Sequence, residues 1–267
     1  YTLNSKITAN ITDWLKVTLN SKWTREDFQR PTYLTSSFFH NLARKWPVHP
    51  AYDPNGFPMD EGEIEQMENG GEQNSQKDYY TNQLHVVIEP IKNWRINLEG
   101  SVRTTTQYQH WEVLPVHAYD VNGDPYYTVW DMGYGSYSAG SSRVDEYSWK
   151  ENYYTTNIYS DYFKQFDNGH YFKVMAGFNA ELYKKGGLTG FGTDLITPSV
   201  PELNTTQDNK NAYNSASELA IAGFFGRINY NYKERYLLEA NLRYDGSSRF
   251  IGDKRWGLFP SFSVGWN

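Results

Sequence analysis

Trp94-Arg-Ile-Asn-Leu-Glu-Gly-Ser-Val-Arg103 alternates without a break. Trp94, Ile96, Leu98, Gly100 and Val102 fall on one face, and Arg95, Asn97, Glu99, Ser101 and Arg103 on the other. A period of two with one apolar and one charged side marks a β-strand rather than a helix. The same pattern returns at 15–23, where Leu15, Val17, Leu19 and Trp23 oppose Lys16, Thr18, Asn20 and Lys22. It returns again at 236–245, where Tyr236, Leu238, Ala240, Leu242 and Tyr244 oppose Glu239, Asn241, Arg243 and Asp245. Weaker versions occupy 1–11, 80–90, 171–182, 220–232 and 256–266, and the weakest is 152–163, where Tyr lies on both faces. The reading is about nine strands, most of them reaching the ~9–11 residues with which a tilted strand crosses a bilayer.

The connections alternate between tight and long. Tight ones lie at Thr12-Asp13-Trp14, between Pro90 and Asn93, from Gln165 to His170, and at Lys233-Glu234; long ones run roughly 26–78, 109–150 and 185–216, with a shorter one at 250–255. Short turns at one end and long loops at the other is the asymmetry of an outer-membrane barrel, and long loops at every second connection are uncommon in a compact soluble domain. Trp14, Trp94, Tyr171, Phe172, Tyr232 and Tyr236 flank the tight turns. The alternative for any one of them is an ordinary turn-flanking core aromatic; recurrence at four turns points to the ring girdle that sits at lipid headgroups.

Composition agrees. The 267 residues include 17% aromatic and only 39% hydrophobic residues, and no Cys; mean hydropathy is -0.75. No run approaches the ~20 apolar residues of a spanning helix, so a membrane protein of this composition crosses as a barrel. A net charge of -6 argues against a nucleic-acid partner, which calls for a basic field. The absence of Cys removes disulfides and thiolate metal sites.

The loops hold little that resembles chemistry. Asp53-Pro-Asn-Gly56 and Asp120-Val-Asn-Gly-Asp124 lack the Gly and Glu positions of a calcium loop and read as β-turns. Asp60 to Glu68 reads as a short acidic loop helix, with Ile64 and Met67 spaced to dock one face. His40, His49, His85, His110, His117 and His170 show no metal-ligand spacing, and no nucleophile or phosphate-binding motif is present. Neither a cofactor, a metal nor a catalytic residue is expected. The aromatics of 109–150, with Trp111, Tyr126, Tyr127 and Trp130 foremost, suit either stacking on substrate or packing against a partner or neighbouring loops.

The most specific stretch is Arg243-Tyr-Asp-Gly-Ser-Ser-Arg-Phe250 followed by Arg255-Trp-Gly-Leu-Phe-Pro-Ser261 and Ser263-Val-Gly-Trp266. It resembles the barrel signature of the SusC/RagA family of TonB-dependent outer-membrane transporters, and the two Asn-Gly loop turns are similar to that family's as well. The resemblance implies an antiparallel up-and-down barrel of about 22 strands with a plug, of which residues 1–267 form part of the barrel domain. Plug, TonB box and signal peptide are expected to lie outside this segment, which starts directly on a strand. It further implies import across the outer membrane, energised through the TonB complex, of glycan or peptide oligomers captured by a SusD-like lipoprotein. The rival reading is a structural barrel that scaffolds surface or secretion-complex proteins. A soluble carbohydrate-active enzyme is disfavoured, because the apolar faces would need a covering second sheet. On the barrel reading Arg95, Glu99, Arg103, Arg227, Glu239 and Arg243 face the lumen, since an Arg facing lipid at mid-membrane costs about 2–4 kcal/mol.

Overall fold

Strands satisfy their backbone hydrogen bonds only by pairing edge to edge with neighbours, and the computed structural model carries that pairing, in one phase, through nine long strands. It describes residues 1–48, 50–59, 63–120, 122–127, 130–131, 136–137 and 140–267, with the side chains of 130, 131, 136 and 137 left aside. In chain order the elements are β1 (Thr2–Thr12), β2 (Leu15–Pro31), α1 (Ser36–Arg44), α2 (Ile64–Asn69), β3 (Glu72–Ile91) and β4 (Trp94–Val113). Next come β5 (His117–Tyr119), β6 (Pro125–Tyr127), β7 (Trp130–Asp131), β8 (Ser136–Tyr137), β9 (Arg143–Gln165), β10 (His170–Leu195), β11 (Thr206–Tyr232), β12 (Tyr236–Ser247) and β13 (Trp256–Trp266).

One nine-stranded antiparallel sheet runs β1-β2-β3-β4-β9-β10-β11-β12-β13, an uninterrupted meander. β5 pairs with β6 and β7 with β8 as small satellites. The threading puts the tight turns β1–β2, β3–β4, β9–β10 and β11–β12 at one end and the longer loops at the other, as the sequence predicts. Among the described residues β1 pairs only with β2, and β13 only with β12, so the sheet is open.

The register shows the tilt of a barrel wall. Following partners across the sheet, Leu15 opposes Ile88, then Ile96, Ser160, Ala176, Gly226 and Leu242. The row therefore starts at the first residue of β2 and ends well inside β12, which begins at Tyr236. This stagger is the shear that lets tilted strands curve into a barrel.

Strand lengths correct the sequence reading. β10 has 26 residues and β11 has 27, so most of the predicted loop at 185–216 is strand, leaving only 196–205 as the connection. Likewise β2, β3, β4 and β9 extend into the regions read as loops at 26–78 and 109–150, which shrink to 32–71 and 114–142. The extensions are polar or Gly-rich on both sides, as in Lys184-Lys-Gly-Gly-Leu188 and Asn209-Lys-Asn-Ala-Tyr213, so no apolar face announces them.

At the base of the first long loop sits a small core of Tyr33, Val113 and Val116 with Trp111 packed against it. Backbone bonds Thr32 N–H to Gly71 O (2.9 Å) and Leu114 N–H to Gly70 O (3.0 Å) lock the loop to the end of β4. The acidic helix expected at Asp60–Glu68 is α2, beginning at Ile64; residues 60–62 lie outside the described residues. Its most buried side chain is Gln66, not the expected pair Ile64 and Met67. α1, capped by the Thr35 hydroxyl accepting from Phe38 N–H, has no counterpart in the strand pattern. Both Asn-Gly segments are turns: the Asp53 carboxylate accepts from Asn55 and Phe57 N–H, and that of Asp120 from Asn122 and Asp124 N–H. Gly56 and Gly123 supply the positive φ, 86° and 84°. No helix among the described residues is long and apolar enough to cross a membrane, which leaves the strands to be considered.

Candidate functional site

The two faces of the sheet differ chemically from edge to edge. One carries Leu3, Ile7, Leu19, Leu84, Val102, Ile158, Val174, Phe224, Ile228, Leu238, Leu242, Phe262 and Val264, all of them exposed. This apolar band is bounded on the tight-turn side by Trp14, Trp94, Phe166, Phe172 and Tyr236. On the other side it meets a second set of rings: Trp23 stacked on Tyr80 at 6.4 Å and Tyr244 on Trp256 at 5.0 Å. Beyond those rings the same face turns polar in one step. Arg25 pairs with Asp78 at 2.7 Å, Thr104 bonds Asn152, and Lys184 meets Glu218 at 3.3 Å. From Leu15 to Trp23 in β2 and from Tyr236 to Tyr244 in β12 the band fits the ~9–11 residues of a tilted membrane strand.

The opposite face is mostly polar, and cross-strand register puts all six predicted residues on it. Arg95 stands opposite Asp161, Glu99 between His85 and Asn157, and Arg103 between Thr81 and Tyr153; Arg227 opposes Asn241, Glu239 opposes Asn229 and Ser263, and Arg243 opposes Phe225 and Phe259. Val87, Met175, Ile221, Phe225 and Phe259 interrupt this face without breaking its phase.

Six residues make two groups. In the first, Arg95 donates to Asp161 (3.0 Å), which also faces Lys173 Nζ at 3.7 Å and is only 4% exposed. Glu99 accepts from the Tyr159 hydroxyl (3.3 Å) and lies 3.5 Å from His85 Nε2, whose ring also reaches Asn97. Arg103 pairs with Glu151 at 3.7 Å and lies over the Tyr153 ring. In the second group Arg227 Nε donates to Asn241 (2.6 Å) and sits 4.0 Å from Glu239, which accepts from Asn229 and Asn241. Arg243 holds Asp245 through two bonds of 3.0 and 2.9 Å and covers the Phe225 ring. Each charge thus has a partner, across the strands for Arg95, Glu99, Arg103, Arg227 and Glu239 and two residues along β12 for Arg243.

Several members of this face escaped the sequence reading. Asp161, Glu151, Tyr153 and Tyr159 lie on β9, the strand whose Tyr residues on both faces blurred its alternation. Tyr153 donates to Glu181 and Tyr183 to Glu151, a reciprocal pair between β9 and β10. Trp149 is 9% exposed, held between the ammonium groups of Lys77 (5.5 Å) and Lys185 (4.3 Å), while its indole N–H donates to Gln107. A cross-sheet alignment of hydrophobic phase would have found these residues; single-strand periodicity could not.

The predicted loop aromatics divide. Trp111 is not in a loop: it belongs to β4 and packs on the Tyr33–Val113–Val116 core. The long polar extension of β4 hid that. Tyr126 and Tyr127 are exposed on β6, with the Tyr127 ring 4.4 Å from that of His117. The side chain of Trp130 lies outside the described residues. Among the described residues, His110, Glu146 and Glu202 form one grouping of metal-ligating type. It joins residues 36 or more apart, which linear His spacing could not register.

Comparison with known proteins fits this geometry. Residues 18–267 match the family model described as TonB dependent receptor-like, beta-barrel. TonB-dependent receptor SusC of Bacteroides thetaiotaomicron is 32% identical over 147 residues, 49% of this chain and 14% of that protein. TonB-dependent receptor P39 of Formosa agariphila is 33% identical over 119 residues, 39% of this chain and 11% of that protein. Among solved structures, the RagAB peptide importer in its open-open state superposes with a TM-score of 0.77 at 17% identity, a likeness of fold, over 98% of this chain and 29% of the neighbour. The chain spans less than a third of each of these relatives.

Proposed function

This chain belongs to the TonB-dependent receptor-like β-barrel family, and on that premise we propose that it is wall from a SusC/RagA-type importer that draws nutrient oligomers, glycan or peptide, through the outer membrane with energy from TonB. The observation that carries this reading is the two-faced sheet. Its apolar band with a ring girdle on either side suits lipid, and its opposite face, with Arg95, Glu99, Arg103, Arg227, Glu239 and Arg243 each held by neighbours, suits a polar lumen. Such a wall does no covalent chemistry. Fixed charges and hydroxyls offer a hydrated substrate replacement hydrogen bonds along its path. A SusD-like lipoprotein over the long-loop end, meeting exposed rings such as Tyr126 and Tyr127, completes the proposal, since large rings are favoured interface anchors.

An in-frame deletion of the gene, complemented with the intact receptor, tests it. Uptake of labelled oligosaccharide and labelled peptide pools is measured in cells with and without proton-motive force. Loss of uptake of one pool on deletion, its restoration by the intact gene and its dependence on the energised membrane are expected. Unchanged uptake of both pools, together with loss of surface or secreted proteins, would favour the scaffold reading instead.

A further inference from the structure

We propose that His110, Glu146 and Glu202 bind a divalent transition-metal ion, with Zn²⁺ the best match to one imidazole and two carboxylates, and that the ion clips the tip of the β10–β11 hairpin to the outer wall. The three residues come from separate parts of the fold: His110 from β4, Glu146 from β9, and Glu202 from the loop that joins β10 to β11. His110 and Glu146 are direct cross-strand partners. They lie on the same face as the apolar band but beyond its polar border at Thr104 and Asn152, outside the lipid-facing stretch.

One ligand atom from each residue lies within 4.8 Å of the other two. A tetrahedral zinc site places its ligands about 3.4 Å apart, so side-chain rotation closes the site without moving the strands. His110 Nδ1 is 2.7 Å from Glu146, while its Nε2 lies 3.4 Å from Glu112. A carboxylate on the far ring nitrogen is the arrangement that orients a metal-bound imidazole and raises its basicity; Glu112 has that positioning role. The Tyr108 hydroxyl, on the same face of β4, also bonds the Glu146 carboxylate. Glu112, Glu146 and Glu202 together outnumber the one imidazole, so even a protonated ring leaves the group anionic.

Local sequence brings Glu202 to this place. It caps the short 3-10 turn Leu203–Thr205, with Glu202 N–H donating to the Thr205 hydroxyl. Leu203 then packs over Gly190, where a Cβ would come within 3.0 Å of its Cδ2. Gly190 is the β10 partner of Glu146, so the missing side chain is what admits the turn beside the ligands.

The test uses the full-length receptor purified in detergent and stripped with chelator. ZnCl₂ is titrated calorimetrically into the wild type and into His110→Ala, Glu202→Gln and Glu112→Gln, with retention of the folded barrel checked by heat-dependent gel migration. The wild type should take up one more equivalent of Zn²⁺ than His110→Ala. Affinity for that equivalent should fall about tenfold or more in Glu202→Gln and about tenfold in Glu112→Gln, and Zn²⁺ should protect 196–205 from proteolysis in the wild type and not in His110→Ala. Equal uptake by wild type and His110→Ala overturns the site, as does Zn²⁺ binding that leaves proteolysis of the turn unchanged. Preference for Ca²⁺ over Zn²⁺ overturns the assignment of a transition metal.

Discussion

Which face a single residue occupies decides what substitution there costs. Leu84 lies on the exposed apolar face near the middle of its strand's membrane stretch, and Gln83, one position away, on the polar face. Leu84→Arg should destabilise the barrel by about 2–4 kcal/mol, the cost of a lipid-facing Arg near the midplane, while Gln83→Arg should be nearly neutral. Guanidinium unfolding from lipid vesicles measures both, and equal costs would contradict the assignment of faces. Asp161 offers a second check. It is 4% exposed and faces both Arg95 and Lys173, so Asp161→Ala strands two cations. Because both are partly solvated, the expected loss is about 1–3 kcal/mol rather than the full cost of a buried pair; a loss no larger than that of Gln83→Arg would show the network to be idle. Trp111 shows where residue-level reading misled: an aromatic in a polar neighbourhood looked like a loop anchor, and only the position of β4 shows it to be strand and core.

Turns and hairpins carry their own predictions. Lys233 and Glu234 both sit in the left-handed region, φ 51° and 56°, in the tight turn between β11 and β12. That two-residue geometry favours Asn-Gly, and a residue with a Cβ is strained there. Glu234→Gly should therefore raise stability by about 1 kcal/mol, seen as a higher temperature for loss of the compact gel form. A decrease would mean that the Glu234 side chain contributes more than its backbone costs. In the β5–β6 hairpin, the N–H groups of Asp124 and then Asn122 hold the Asp120 carboxyl below its ordinary 3.8. A depressed acid stabilises the folded form fully above its unfolded pKa and loses that contribution as pH falls through the lower folded value. Protection of the Asn122 and Asp124 amides against exchange should thus hold from neutral pH to about pH 4.5 and decline below it. Asp120→Ala should abolish it at every pH; protection that survives in Asp120→Ala would assign the turn to Gly123 alone.

At the scale of the whole molecule the prediction concerns the long-loop end. The base of the 32–71 loop is already held by backbone bonds and the Tyr33 core, whereas Tyr126 and Tyr127 stay exposed. If a lipoprotein docks there, Tyr126→Ala combined with Tyr127→Ala should lower its co-purification in mild detergent severalfold while leaving the barrel folded; unchanged recovery would move the interface elsewhere. Sequence by itself determined the nine strands of the main sheet, their up-and-down order, which connections are tight, and the alternation that sets the six charged candidates on one common face. It did so because lipid on one side and water on the other impose a strict period of two, and that period is written wherever a strand crosses the membrane. Its reach ended at Trp23, Arg103 and Asp245, close to where the apolar band ends. Past that border both faces meet water, alternation has no cause, and the long extensions of β10 and β11 looked like loops. Only the tertiary structure decided the register. Hydrogen bonding between strands far apart in sequence fixed the stagger from Leu15 to Leu242, the pairing of Arg95 with Asp161, and the meeting of His110 with Glu146 and Glu202.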